Sequence, residues 1–175
     1  INGSLTINKK NLDENIFKEK INASVKRRKD LRSLETFTID PIDARDFDDA
    51  ISIEYDKSRL FIWVHIADVA EFVDYNSQID KEAMLRGNSY YFPERVYHML
   101  PRILSTKYCS LEPNVDRLSL SIKMNVDEKY NVTDYEIHET VINSDKKFSY
   151  EEAGSILDKN EVSDHTTSLH LLDKI

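Results

Sequence analysis

Cysteine is almost missing from this 175-residue sequence. Cys109 stands alone, which excludes an intrachain disulfide and points to a reducing compartment, expected to be the cytoplasm. No apolar run approaches the length of a membrane span, no signal-peptide pattern opens the chain, and no repeat or low-complexity tract divides it. A membrane partner is therefore not expected. Excess basic charge is missing as well. With 24 Lys and Arg against 32 Asp and Glu, the net charge is −8, whereas phosphate affinity comes from clustered Lys and Arg. On bulk electrostatics the chain does not look like a nucleic-acid binder. What is present is a globular profile, 40% apolar and 32% charged, long enough for one domain with a real core. The chain opens on Ile1 rather than Met and closes on Ile175 inside a helical pattern, so it reads as a piece of something longer.

The densest chemistry lies in FTIDPIDARDFDDA, Phe37 to Ala50, which holds Asp40, Asp43, Asp46, Asp48 and Asp49. Phe37 and Ile39 lead in with strand alternation, and Ile51, Ile53 and Tyr55 lead out with the same period. Pro41 bars a regular helix or a central strand across the join, so the acidic part is expected as a loop at a strand end. Carboxylates this crowded repel one another unless a cation sits among them or some take up a proton. Hard oxygen donors with no Cys or His nearby suit Mg²⁺, Mn²⁺ or Ca²⁺. An EF-hand is disfavoured, because no Gly follows at the turn position and no Glu closes the loop. A catalytic metal site, a structural Ca²⁺ site and an acidic surface loop all stay open on this loop alone.

Around it the elements alternate. Ile1 to Ile7 could form a short strand. Asn11 to about Lys26 has near-helical apolar spacing, with Asn11 as cap. The basic run KRRKDLR, Lys26 to Arg32, reads as a solvated helix end and linker, or else as a phosphate-contacting arm beside the acidic loop. Arg59 to Ile66 is apolar throughout, as expected of a strand covered on both faces. Ser77 to Arg86 reads as a helix ended by Gly87, with Ile79, Ala83 and Met84 on one face. Asn88 to Ser105 is too broken for one element and is expected as extended chain plus a short helix. Leu118 to Val126 and Val132 to Val141 alternate on either side of DEKYN, an antiparallel hairpin. Ser149 with Glu152 fits a capping box for a helix through Leu157, and Val162 to Ile175 begins another. The expected fold is α+β: a mixed, mainly antiparallel sheet with packed helices. His65 reads as a buried, hydrogen-bonded histidine, and Cys109 as a small buried apolar residue. Arg102 and Arg117 could each touch phosphate or pair with a nearby carboxylate.

The order of these strings, the aspartate loop, VHIADV, RGNSYYFP and MLPRILSTKYCSLEPNVDRLSL, resembles the catalytic (RNB) domain of the RNase II/RNase R exoribonucleases. The resemblance runs from about Leu31 to at least Leu157. It divides the chain into an N-terminal helix and basic linker, residues 1–30, and the N-terminal part of the RNB catalytic domain, residues 31–175. It implies metal-dependent 3′-to-5′ hydrolysis of single-stranded RNA that releases 5′-monophosphates, using Mg²⁺, with Mn²⁺ as a substitute. The family's metal-site aspartates fall on Asp40, Asp46, Asp48 and Asp49, with Asp48 the hardest to replace, while Asp43 lies outside the set. Tyr91 matches a family aromatic that stacks on a base. The resemblance also implies flanking OB-fold RNA-binding domains in the same protein, and an arginine and a second stacking aromatic further along. The piece alone is therefore expected to be nearly inert. The rival expectation is a non-catalytic metal- or RNA-binding module derived from the same domain, which the acidic balance favours slightly.

Overall fold

The computed structural model describes residues 13–159 and 165–175. A seven-stranded sheet runs in the order β1 (Lys29–Asp30), β8 (Val132–Asn143), β7 (Asp116–Val126), β4 (Arg59–Ala67), β3 (Asp49–Asp56), β2 (Thr36–Asp40) and β9 (Lys146–Ser149). The β1–β8 and β2–β9 pairs are parallel and the other neighbours antiparallel. A separate ribbon pairs β5 (Tyr90–Phe92) with β6 (Arg95–Tyr97). Helices α1 (Glu14–Val25), α2 (Gln78–Arg86), α3 (Tyr150–Lys159) and α4 (Thr166–Leu172) complete the α+β arrangement, as expected.

Local chemistry explains most element ends. Ser77 caps α2 through Asp80 N, and Gly87 closes it at φ +70°, a conformation that costs glycine nothing extra. The capping box at α3 forms reciprocally: Glu152 N donates to Ser149 Oγ at 3.0 Å and Ser149 N donates to Glu152 Oε2 at 2.8 Å. In the β7–β8 turn, Asp127 accepts from Lys129 N and Asn131 N, while Tyr130 takes a positive φ of 64°. At α1 the cap is Asp13, which accepts from Asn15 N. The expected cap Asn11 and the expected strand at residues 1–7 lie outside the described residues, as does the start of the last helix near Val162.

Three expectations need correcting. The basic run is solvated at Lys26, Arg27, Lys29 and Arg32, but not at Arg28. Arg28 is buried, and it donates to Asp68 Oδ2 at 2.5 Å, Glu71 Oε2 at 2.9 Å and the Ser119 carbonyl at 3.1 Å. A guanidinium can be buried when carboxylates and carbonyls take up its donors, and these two acids do so. On α2, Met84 is exposed and Glu82 is buried beside Ile79 and Ala83, paired with Arg86 one turn on. Strand β4 is covered fully on one face only. Trp63 and His65 are fully buried, whereas Ile66 is 45% exposed. Its open face continues through Leu120, Tyr135 and Ile137, all exposed among the described residues.

The closed face packs the main core, where Phe17 of α1 meets Phe72 and Tyr108 at ring centroids of 6.0 and 5.0 Å. A second, smaller core joins Phe37, Phe148, Ile156 and Leu169. No helix among the described residues is long and apolar enough to cross a membrane.

Candidate active site

Strand β2 ends at Asp40, Pro41 stops it, and β3 resumes at Asp49. The loop between them is pinned from three sides. Ala67 N, at the end of β4, donates to the Asp48 carbonyl at 2.9 Å. Ser110 accepts from Phe47 N and donates to the Arg45 carbonyl, both at 3.0 Å, and Leu111 N donates to the Phe47 carbonyl at 2.9 Å. The Phe47 ring is buried beneath the loop. Lys147 of β9 reaches back to the carbonyls of Ile42 and Ala44 at 3.3 and 3.4 Å. The strings VHIADV and YCSLEP thus act locally as clamps on the aspartate loop, which the hydrophobic pattern alone places only as a loop.

This clamping crowds the carboxylates. Asp48 is exposed at the loop surface, yet the partial burial of its carboxyl, and after it the charges of Asp46, Asp49 and Asp40, push it above the usual carboxylate range. Asp40 is shifted the same way, chiefly by burial and also by Asp49 and Asp46, with Thr38 and Lys147 pulling partly against them. Asp40 Oδ2 is a buried acceptor with no hydrogen-bond partner, the kind of orphaned oxygen that a cation would satisfy. The donor set, all carboxylate oxygen, fits a hard divalent ion. As the side chains stand, no three of the described Asp, Glu, His or Cys residues are gathered tightly enough to coordinate an ion. One reason is visible: the Tyr91 hydroxyl donates to Asp46 Oδ2 at 2.5 Å and occupies that oxygen. The bond, and burial after it, push the Tyr91 phenol up to about 12. Tyr91 is itself 63% exposed, with its ring open to solvent beside the loop.

The remaining candidates divide. His65 is fully buried between Ser52 Oγ, at 2.9 Å from Nε2, and Ser121 Oγ, at 2.7 Å from Nδ1, and burial pulls it down to about 4. It is a neutral core group, as expected. Cys109 is buried, with its thiol pushed up to about 12 by that burial. Arg117 is buried, donating to the Ser110 carbonyl at 2.7 Å and pairing with Glu112 at 3.0 Å, so it braces the clamp and does not face phosphate. Arg102 is exposed and borders a cleft that Asp40, Asp46 and Tyr91 also line. Sequence reasoning missed Ser110 and Lys147, which hold the loop, and Arg45 and Arg95, which line the same cleft. Nothing local marks Lys147: only the parallel β2–β9 pairing brings it to the loop.

The RNB domain family model matches residues 28–175. Ribonuclease R of Aquifex aeolicus is 48% identical over 134 residues, which cover 76% of this chain and 19% of that protein. The structure of Mycoplasma genitalium RNase R in complex with ribose methylated single-stranded RNA superposes with a TM-score of 0.75 at 30% identity, covering 84% of this chain and 23% of that one. Its complex with double-stranded RNA gives a TM-score of 0.75 at 33% identity, covering 82% and 26%. The chain thus spans about a fifth of the length of the curated relatives it matches.

Proposed function

The chain belongs to the RNB domain family, and from that premise we propose that it carries the metal-binding part of a 3′-to-5′ exoribonuclease acting on single-stranded RNA. The observation that carries this reading is the clamped loop, which gathers Asp40, Asp46, Asp48 and Asp49 so that the charges of the other three act on the Asp48 carboxyl. These four residues would hold Mg²⁺, or Mn²⁺ in its place. Such an ion supplies a Lewis acid that ionises water near neutral pH and offsets charge developing on phosphate oxygens. The chain's own residues do the rest. The clamps from Ser110, Lys147 and Ala67 keep the carboxylates together against their repulsion. The exposed Tyr91 ring stacks on a base of any identity, as a nuclease without sequence preference requires. His65 takes no proton from water, because both ring nitrogens are held by serines inside the core.

Residues 1–30 would lead into the catalytic unit, residues 31–175. The acidic surface makes the strand-binding groove a task for flanking OB-fold domains, and the chain alone would be close to inert. The products would be nucleoside 5′-monophosphates. The second reading is a module that binds RNA or metal without cleaving. A module that binds only RNA leaves four mutually repelling carboxylates without a purpose, and one that binds metal keeps the ion but gives it no reaction, so the catalytic reading stands ahead of it.

The test is degradation of a fluorescently labelled single-stranded RNA by the full-length protein, with and without Mg²⁺. Monophosphate release that needs the ion and is lost in Asp48→Asn supports the reading. An Asp48→Asn protein as fast as wild type would sink it.

A further inference from the structure

Helix α1 lies ahead of residue 28, where the family match begins, yet it touches both strings that clamp the aspartate loop. The first clamp, Ala67, is set by the sheet, through the ladder of β4 with β7. The second, Ser110, sits outside the sheet, just past a π-helical turn at Leu104–Tyr108. Such turns are rare and occur mostly at functional sites. The place of Ser110 relative to Ala67 therefore depends on what packs against that turn. Arg117 holds the Ser110 carbonyl, and α1 takes the residues just before it.

At the start of the helix, Glu14 accepts from Lys107 Nζ at 2.7 Å and from the Tyr108 hydroxyl at 3.1 Å. One turn on, the buried Phe17 ring meets Tyr108, which precedes Ser110, and Phe72, which follows Ala67. One side chain thus spans the two strings. At the end of the helix the contacts are polar. Ser24 and Arg27 both donate to the Glu71 carboxylate at 2.5 Å, and Arg28 donates to Asp68 and Glu71, again in the string that follows Ala67. The Arg28 side chain is 1% exposed and those of Asp68 and Glu71 are 13% and 16% exposed. Pairs this buried hold their geometry, since losing one partner leaves a charge without compensation, unlike the loose pairs of a solvated surface.

We propose that α1 together with Arg28 is a positioning strut for the aspartate loop, fixing where its two clamps stand relative to each other. Its part in catalysis rests on the hydrolase reading above. The carboxylates repel one another, so the loop keeps its shape only as far as its clamps keep theirs. Groups standing behind the ligands of a metal typically govern affinity or activity by tenfold or more. Residues 14–28 then belong to the working part of the enzyme and do more than lead into it.

Hydrogen–deuterium exchange on the full-length protein reads the clamps directly, with RNA degradation kinetics beside it. Phe17→Leu keeps an apolar side chain but removes the ring that meets both strings. Ile156→Val, in the second core, controls for a general loss of packing. Phe17→Leu should speed exchange in peptides covering residues 43–50 and 107–112. It should also lower kcat about tenfold while KM for RNA stays within about twofold. Ile156→Val should change neither. Glu14→Ala, at a half-exposed position, should loosen the same peptides, and it decides the matter if Phe17→Leu does not fold. Three results overturn the proposal: loop exchange as in wild type in the α1 variants, a loosened loop with kcat unchanged, or Ile156→Val acting as strongly as Phe17→Leu, which would make α1 a contributor to stability alone. Were the nuclease reading to fail, wild type itself would degrade no RNA, and the exchange pattern would still report whether the strut holds the loop.

Discussion

The Tyr91 hydroxyl donates to Asp46 Oδ2 at 2.5 Å, so the exposed aromatic of the β5–β6 ribbon is joined directly to a carboxylate of the acidic loop. Ring and hydroxyl then have separable roles. Tyr91→Ala should weaken single-stranded RNA binding by roughly 1–3 kcal/mol, the worth of one stacked base. Tyr91→Phe should keep that affinity and instead change Mn²⁺ affinity, because Asp46 loses its donor. Fluorescence anisotropy on RNA and calorimetry with Mn²⁺ separate the two, and equal RNA affinity in wild type and Tyr91→Ala would rule out the stacking role.

Metal binding to the loop should raise stability by mass action. Millimolar Mg²⁺ or Mn²⁺ should shift the wild-type melting temperature upward, on the order of a few degrees. Asp40→Asn and Asp48→Asn should not respond. Differential scanning fluorimetry across a metal titration reads this, and a flat wild-type curve favours a non-catalytic module that binds no metal.

Ser110 serves two backbone groups of the loop at once, accepting from Phe47 N and donating to the Arg45 carbonyl. Its removal strands Phe47 N in a buried place and the Arg45 carbonyl in a partly buried one. Ser110→Ala should cost about 1–3 kcal/mol in urea unfolding and should also lower metal affinity, because Asp46 and Asp48 flank the freed segment. Unchanged stability would mean that Phe47 and Leu111 suffice to hold the loop.

His65 gives a pH signature. Its folded value lies near 4, below the ordinary 6.5, so between those values the unfolded chain binds the extra proton. Stability is then complete above about pH 6.5 and falls as the pH drops toward 4, by on the order of 3 kcal/mol over the window. Asp40 and Asp48 oppose this slope, since their raised values favour the folded state at low pH. In His65→Gln the acid-side loss should shrink, whatever its stability at neutral pH. Denaturation midpoints from pH 4 to 7 measure it, and parallel profiles for variant and wild type would refute the assignment.

Much of this protein was legible from residue order alone. The Pro41 break, the alternation of β7 and β8, the Ser77 and Ser149 caps and the Gly87 stop are local. Each depends on backbone geometry within a few residues, so spacing suffices to place them. The aspartates themselves were equally legible, because their mutual repulsion is a property of sequence proximity.

What spacing could not decide was which side of an element turns inward and which distant group arrives. Strand β7 buries Ser119 and Ser121 and exposes Leu120, the reverse of simple hydrophobic alternation. The inward face already holds His65 and Arg28, and their donors and acceptors need hydroxyl and carbonyl partners there. Lys147 reaches the aspartate loop only through the parallel β2–β9 pairing, and Arg45, Arg95 and Arg102 meet only across a folded cleft. Sequence settled the short-range chemistry of this chain. Tertiary structure alone settled its partnerships, because burial and polar pairing depend on groups that can lie 112 residues apart.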